Sequence, residues 1–138
     1  MTGKCFVDTN IFVYCRDKHD EHKRTIALNL VKDLWKQETG VISYQVITEF
    51  AAVLSKKFSV SDAKIKSEID CLLSWKPIPI DECVIAEGLR IREHYHLSYW
   101  DSWIIGAALH SRCEILYSED LQHLASYHGV KVINPFAQ

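Results

Sequence analysis

The chain has 138 residues, 48% hydrophobic and 25% charged, with a formal net charge of -2 at pH 7. A domain of about 150 residues buries roughly 68–70% of its unfolded surface, so this length suffices for one core and residues 1–138 read as a single globular domain. The charge balance excludes a protein that coats nucleic acid by bulk electrostatics, because phosphate contacts demand clustered Lys and Arg.

No apolar run approaches the ~20 residues of a membrane span, and residues 1–20 lack a basic start followed by an apolar stretch. The expectation is a cytoplasmic protein with no membrane partner. The five cysteines are odd in number, widely spaced and without a C-x-x-C pair, so reduced and mostly buried thiols are expected rather than a disulfide framework or a thiolate zinc site.

Along the chain, Lys4-Cys5-Phe6-Val7 reads as a short buried strand running into the polar turn Asp8-Thr9-Asn10. Ile26, Leu30 and Leu34 recur at helical spacing from about His22 to Glu38, and Gly40 marks the stop. Val41-Ile42-Ser43 forms a second strand, a helix follows from about Gln45 to Phe58, and Ser61 or Asp62 caps a third helix ending near Trp75. Pro77 and Pro79 frame an edge strand or extended connection, since proline cannot donate to an inner ladder. Residues 82–94 read as a helix, 95–99 as a loop, and Trp100 to Ser111 as a very apolar helix. Residues 114–118 and 130–133 are further strands, separated by a short helix around Leu121 to Tyr127. The strand–helix alternation predicts an α/β domain of three layers, α/β/α, with a mostly parallel sheet of four to five strands flanked by helices.

Four acids, Asp8, Glu49, Asp101 and Asp120, fall where a buried strand ends or a helix begins. A carboxylate among core residues is costly to desolvate unless paired or bound to a metal, and the carboxyl ends of parallel strands converge on one crevice. Taken singly, each acid has a plainer reading. Asp8 suits an N-cap or Asx turn, Asp120 or Ser118 a cap on the next helix, and Glu49 a solvated helix flank. Asp101 shares a helical stripe with Ile104, Ile105 and Ala108, which points it inward, although a first-turn acid also complements a helix dipole. Helix N-termini at that edge favour anions, so four acids mapping there fit a divalent cation and a metal-dependent enzyme.

The blocks Phe6-Val7-Asp8-Thr9-Asn10, Ser43-Tyr44-Gln45-Val46-Ile47-Thr48-Glu49-Phe50, Leu97-Ser98-Tyr99-Trp100-Asp101-Ser102, Tyr117-Ser118-Glu119-Asp120-Leu121 and Asn134-Pro135-Phe136 resemble the signature blocks of PIN-domain ribonucleases. In order and spacing they are similar to the VapC-type toxins of toxin–antitoxin pairs, over essentially the whole chain. The resemblance implies a PIN-like fold, with Asp8, Glu49, Asp101 and Asp120 as catalytic, metal-binding acids. Ser118 then stands at the supporting hydroxyl position, where many members have Thr, with Thr9 and Asn10 as further polar support. It implies an RNA substrate, a homodimer, and a small cognate antitoxin whose tail enters the acidic groove. All-oxygen ligands suit Mg²⁺ or Mn²⁺, and a two-ion phosphodiester hydrolysis leaves 5′-phosphate and 3′-hydroxyl ends.

Arg16 and Lys18 are the substrate-contacting candidates, with Lys56, Lys57, Arg90 and Arg92 behind them. Trp100 and Trp103 flank Asp101 and suit base stacking, core packing or a dimer interface. The seven histidines form no pattern that supports catalysis. Rival readings are a solitary PIN-domain nuclease without an antitoxin, or a non-catalytic RNA- or partner-binding module. A receiver domain would need an acidic pair after the first strand, and an aspartyl phosphatase would need Asp-x-Asp, where residue 10 is Asn.

Overall fold

A computed structural model describes residues 3–137. Strand β1 (Cys5–Val7) is buried throughout, as a central parallel strand must be, and pairs in parallel with β2 (Gly40–Val41) on one side and β3 (Ile115–Tyr117) on the other. Strand β5 (Val130–Ile133) continues the sheet parallel to β3, and β4 (Ser126–Tyr127) closes it antiparallel to β5. The order is β2-β1-β3-β5-β4, so the expected mostly parallel sheet of four to five strands has five.

Helices α1 (Thr9–Tyr14), α2 (Glu21–Gln37), α3 (Tyr44–Phe58), α4 (Asp62–Leu73), α5 (Glu82–Tyr95) and α6 (Tyr99–His110) flank the sheet. The side chains of Asp20, Ser61, Asp81 and Ser98 each accept a hydrogen bond from a backbone N–H in the first turn of the helix that follows, which fixes where α2, α4, α5 and α6 begin. The buried core runs through Phe6, Ile11, Phe50, Leu54, Ile91, Ile105 and Leu116. Helix α6 contacts β3 and β5 and packs closely on α5. A Cβ on Gly106 would stand 2.9 Å from the Gly88 nitrogen, so glycine is what allows the two backbones to meet.

Three local expectations are corrected. Asp8-Thr9-Asn10 is not a free turn but the start of α1, because the Asp8 carboxylate caps the Thr9 N–H and Ile11 N–H bonds the Asp8 carbonyl. The helix expected around Leu121 to Tyr127 is absent: Leu124 N–H bonds Val132 O and Val132 N–H bonds Ala125 O, which draws the segment onto the sheet as β4. Ladder bonds at the sheet edge outcompete a helix too short to stabilise itself. The second strand ends at Val41, and Ser43 instead bridges in parallel to Ile78, which ties the proline-framed connection to the sheet as an extended segment. Cys5, Cys15 and Cys113 are buried thiols, whereas Cys71 and Cys83 are exposed; all five are unpaired. Among the described residues no helix is long and apolar enough to cross a membrane.

Candidate active site

The register of the sheet builds the site. Val7 pairs with Tyr117 across β1 and β3, so the next residues, Asp8 and Ser118, leave the sheet side by side. Asp8 N–H bonds the Tyr117 carbonyl at 3.0 Å, and the Ser118 hydroxyl donates to the Asp8 Oδ2 at 2.7 Å. The same hydroxyl oxygen accepts the Asp120 N–H at 3.2 Å, so one buried serine ties two acids of the site.

Helix α1 fastens the rest. Thr9 turns its hydroxyl to α3 and donates to Glu49 Oε1 at 2.9 Å. Asn10 faces the loop after β3, where its amide donates to Asp120 Oδ2 at 3.1 Å and its carbonyl oxygen accepts the Glu119 N–H at 3.1 Å. Glu49 sits in the second turn of α3 rather than at a helix start, half-buried and not merely a solvated flank. Asp101 lies in the first turn of α6, whose N-cap Ser98 receives its N–H at 3.1 Å, and the stripe Ile104, Ile105 and Ala108 is buried as its spacing predicts. Asp120 is exposed at the mouth.

All four acids, with Thr9 and Asn10, line one cavity of about 400 Å³. Asp8 is only 4% exposed, and burial pushes its carboxyl up to about 7 against the opposing bonds from Ser118 and Thr9, with the charges of Asp120 and Glu49 adding to the rise. Burial also raises Glu49, against bonds from Thr9 and Gln45 and reinforced by the charges of Asp101 and Asp120. Asp101 is raised by burial too, with Asp120 adding to it. The acids therefore sense one another, and a cation would relieve that repulsion.

The donor set is all oxygen, which suits Mg²⁺ or Mn²⁺. Among the described residues no three His, Cys, Asp or Glu side chains converge tightly enough to clasp an ion unaided. Mg²⁺ ordinarily keeps several waters and takes only one or two carboxylates plus substrate phosphate, so a spread set of acids fits that mode of binding rather than an all-protein cage.

Arg16 and Lys18 lie elsewhere. Arg16 is engaged by Glu68 at 2.8 Å, and both basic residues line a separate groove beside Phe58 and Val60. The lysine that does line the acidic cavity is Lys57, two turns along α3 from Glu49. Trp100 also lines it and is 62% exposed, which sets aside core packing for that ring. Trp103 is half-buried against α5. No histidine lines this cavity.

A latch beside the acids joins residues whose pairing the sequence does not signal. Lys23 of α2 forms an ion pair with Glu119, Tyr14 donates to the other Glu119 oxygen at 2.7 Å, and the Tyr14 ring meets Phe136 at 4.9 Å. Lys23 and Glu119 are 96 positions apart, so only the folded chain joins them. Phe136 belongs to the last signature block noted in the sequence, and this contact gives that block a place beside the site.

The sequence profile of the PIN domain family matches residues 5–127. No curated protein matches the chain. Among solved structures, the chain is similar to VapBC2 from Rickettsia felis bound to a DNA fragment from their promoter, at 21% identity over 93% of this chain and 96% of that one, TM-score 0.70. A toxin–antitoxin complex from Klebsiella pneumoniae matches at 20% identity over 96% of this chain and 98% of that one, TM-score 0.69. VapC20 of Mycobacterium tuberculosis, a sarcin-ricin-loop-cleaving toxin, matches at 14% identity over 83% and 88%, TM-score 0.62. At such identities the structural likeness establishes the fold.

Proposed function

The chain belongs to the PIN domain family, and from that premise we propose that it is a divalent-metal-dependent endoribonuclease, the toxin of a VapC-type toxin–antitoxin pair. The observation that carries this reading is the arrival of Asp8, Glu49, Asp101 and Asp120 from four distant segments in one cavity. These four would hold Mg²⁺ or Mn²⁺. When bound, such an ion supplies charge stabilisation for the phosphoryl oxygens and a water of lowered pKa.

The remaining residues hold the acids still. Thr9 orients Glu49, Asn10 orients Asp120, and Ser118 couples Asp8 to the Asp120 backbone. Fixing the groups before substrate arrives lowers the entropy still to be lost in the reaction.

A small antitoxin belongs to the same proposal, supported by fold relatives that are VapBC or toxin–antitoxin complexes, and a homodimer is proposed with it on the family resemblance alone. The test is cleavage of short RNAs by purified protein. Mg²⁺ or Mn²⁺ should support it, EDTA should abolish it, and the new ends should be 5′-phosphate and 3′-hydroxyl. Full activity in EDTA sinks the metal route, and no cleavage with any metal sinks the nuclease. Expression should arrest growth, Asp8→Asn should not, and a neighbouring gene should rescue; an active nuclease that harms nothing is a solitary PIN-domain enzyme instead.

A further inference from the structure

The acidic cavity has a poor surface for holding RNA by charge. Five acids line it, the four above and Glu119, against one lysine, Lys57. Phosphate attraction supplies most nonspecific strand binding, and beyond the cation proposed above this cavity offers one lysine for it, so an uncharged group must add to the grip. Trp100 is that group. It is the most exposed large hydrophobic side chain among the described residues, and it lines this cavity next to Asp101.

Trp100 is anchored through its main chain. Its backbone carbonyl accepts Gln45 Nε2 at 3.1 Å, and Gln45 is a buried residue one turn before Glu49 on α3. Trp100 is therefore referenced to Glu49 through one hydrogen bond and to Asp101 through the chain. An edge-on contact with Trp103, 5.6 Å between centroids at 80°, supports the indole while leaving most of it in solvent. On α3, Glu49, Val53 and Lys57 recur every fourth residue along the cavity wall, which brings one ammonium group within reach of the same strand.

We propose that Trp100 is a stacking platform for an unpaired nucleobase at the mouth of the acidic cavity, and that Lys57 takes one backbone phosphate of the same strand. The proposal rests on the nuclease reading above and adds how the strand is gripped. A base already held in a duplex stack cannot lie on the ring, so the favoured substrate is single-stranded at that nucleotide. Stacking is tolerant of base identity, so Trp100 selects for unpaired character more than for sequence.

The experiment is strand binding by the Asp8→Asn protein in Mg²⁺, read with a labelled short single-stranded RNA and with the same sequence in a duplex. Adding Trp100→Ala should weaken single-strand binding about 5- to 150-fold, the range for losing one base–aromatic stack, and Trp100→Phe should restore most of it. Trp35→Ala, which removes another exposed indole, should change nothing. Lys57→Ala should reduce the slope of log affinity against log salt by about 0.7, the loss of one phosphate contact on a single strand. Equal binding by Trp100→Ala and its parent, or a duplex that binds as well as the single strand, overturns the proposal. So does a Trp100→Ala effect confined to self-association, which would give the ring to a second copy of this chain. Cleavage by the unsubstituted protein is read separately. A nuclease whose Trp100→Ala variant cuts with unchanged KM overturns the platform alone, whereas absence of cleavage overturns the nuclease and leaves stacking to be judged by binding.

Discussion

Two clefts open at opposite ends of the same sheet, and the larger one is not the one that gathers the four acids. At the amino end, a cleft of about 640 Å³ is lined by Leu34, Trp35, Gly40 and Trp75 with charged residues at its rim. Trp75 packs edge-on against Phe12 at 5.5 Å and lies against Trp35 at 5.8 Å, so this end closes on aromatic contacts. At the carboxyl end the cavity is smaller, about 400 Å³, but its floor is a buried carboxylate wired to the Ser118 and Asn10 side chains and the Thr9 backbone N–H. Size follows from how helices splay. Charge kept out of water at a cost marks a candidate site, and of these two clefts the one at the carboxyl end bears that cost at Asp8.

If that division is right, substitutions at the two ends fail in different ways. Asp8→Asn or Asp101→Asn should remove three or more orders of magnitude from RNA cleavage, at least ~4 kcal/mol at the transition state, with the fold intact by circular dichroism. Glu49→Gln and Asp120→Asn should cost as much or somewhat less. Retention of more than about a tenth of the rate by either central variant, only ~1.4 kcal/mol, contradicts the assignment. Leu34→Ala at the amino end should do the reverse: about 2–5 kcal/mol lost in urea unfolding, with cleavage per folded molecule unchanged.

The next effect sharpens the electrostatic half of the comparison. The folded pKa of Asp8 is raised from 3.8 to about 7, so without metal the native state binds a proton that the unfolded chain has released. That contribution is fully present below pH ~4 and is lost as pH rises through about 7. Moving one carboxyl this far is worth roughly 4 kcal/mol at most. Unfolding in EDTA at pH 4 to 8 should show stability falling with pH, and Asp8→Asn should flatten that fall. An unchanged slope in the variant would place the proton elsewhere.

The smallest expected effect concerns the latch. Tyr14→Phe removes one hydrogen bond to Glu119 and should cost about 1 kcal/mol or less, with a few-fold loss of rate through looser placement of Asp120. Glu119→Gln also removes the charge facing Lys23 and should cost more in rate than Tyr14→Phe. Equal rates in all three proteins would make the latch a feature of the tail alone.

Legibility in the sequence divides along the same line. The mostly parallel sheet, the inward stripe of α6 and the placement of the four acids are written in local periodicity and in strand ends, which a linear reading sees. The resemblance of whole blocks to PIN-domain ribonucleases carried Ser118, Thr9 and Asn10, and each proves bonded to an acid. What stayed hidden depends on distant pairs. The latch joins α2 to the loop after β3, and Arg16 is taken up by Glu68 of α4 rather than turned to the cavity. Similarly, the segment at residues 121–127 has helical composition in isolation, yet bonds to β5 decide its form. The exposure of Trp100 is hidden for the same reason: an apolar helix suggests burial all round, and only the packing of α6 on its α5 side shows which rings are left out.

The central claim is that these acids form a cation site, and thermal unfolding with and without Mn²⁺ tests it without any substrate. A ligand bound only by the native state adds about 2.7 kcal/mol at a hundredfold excess over its dissociation constant, so the unsubstituted protein should melt higher in Mn²⁺. Asp101→Asn relieves repulsion, so in EDTA it should melt at or above the unsubstituted protein, and it should gain clearly less from Mn²⁺. Equal gains in the two proteins would contradict the account and return Asp101 to capping and packing alone.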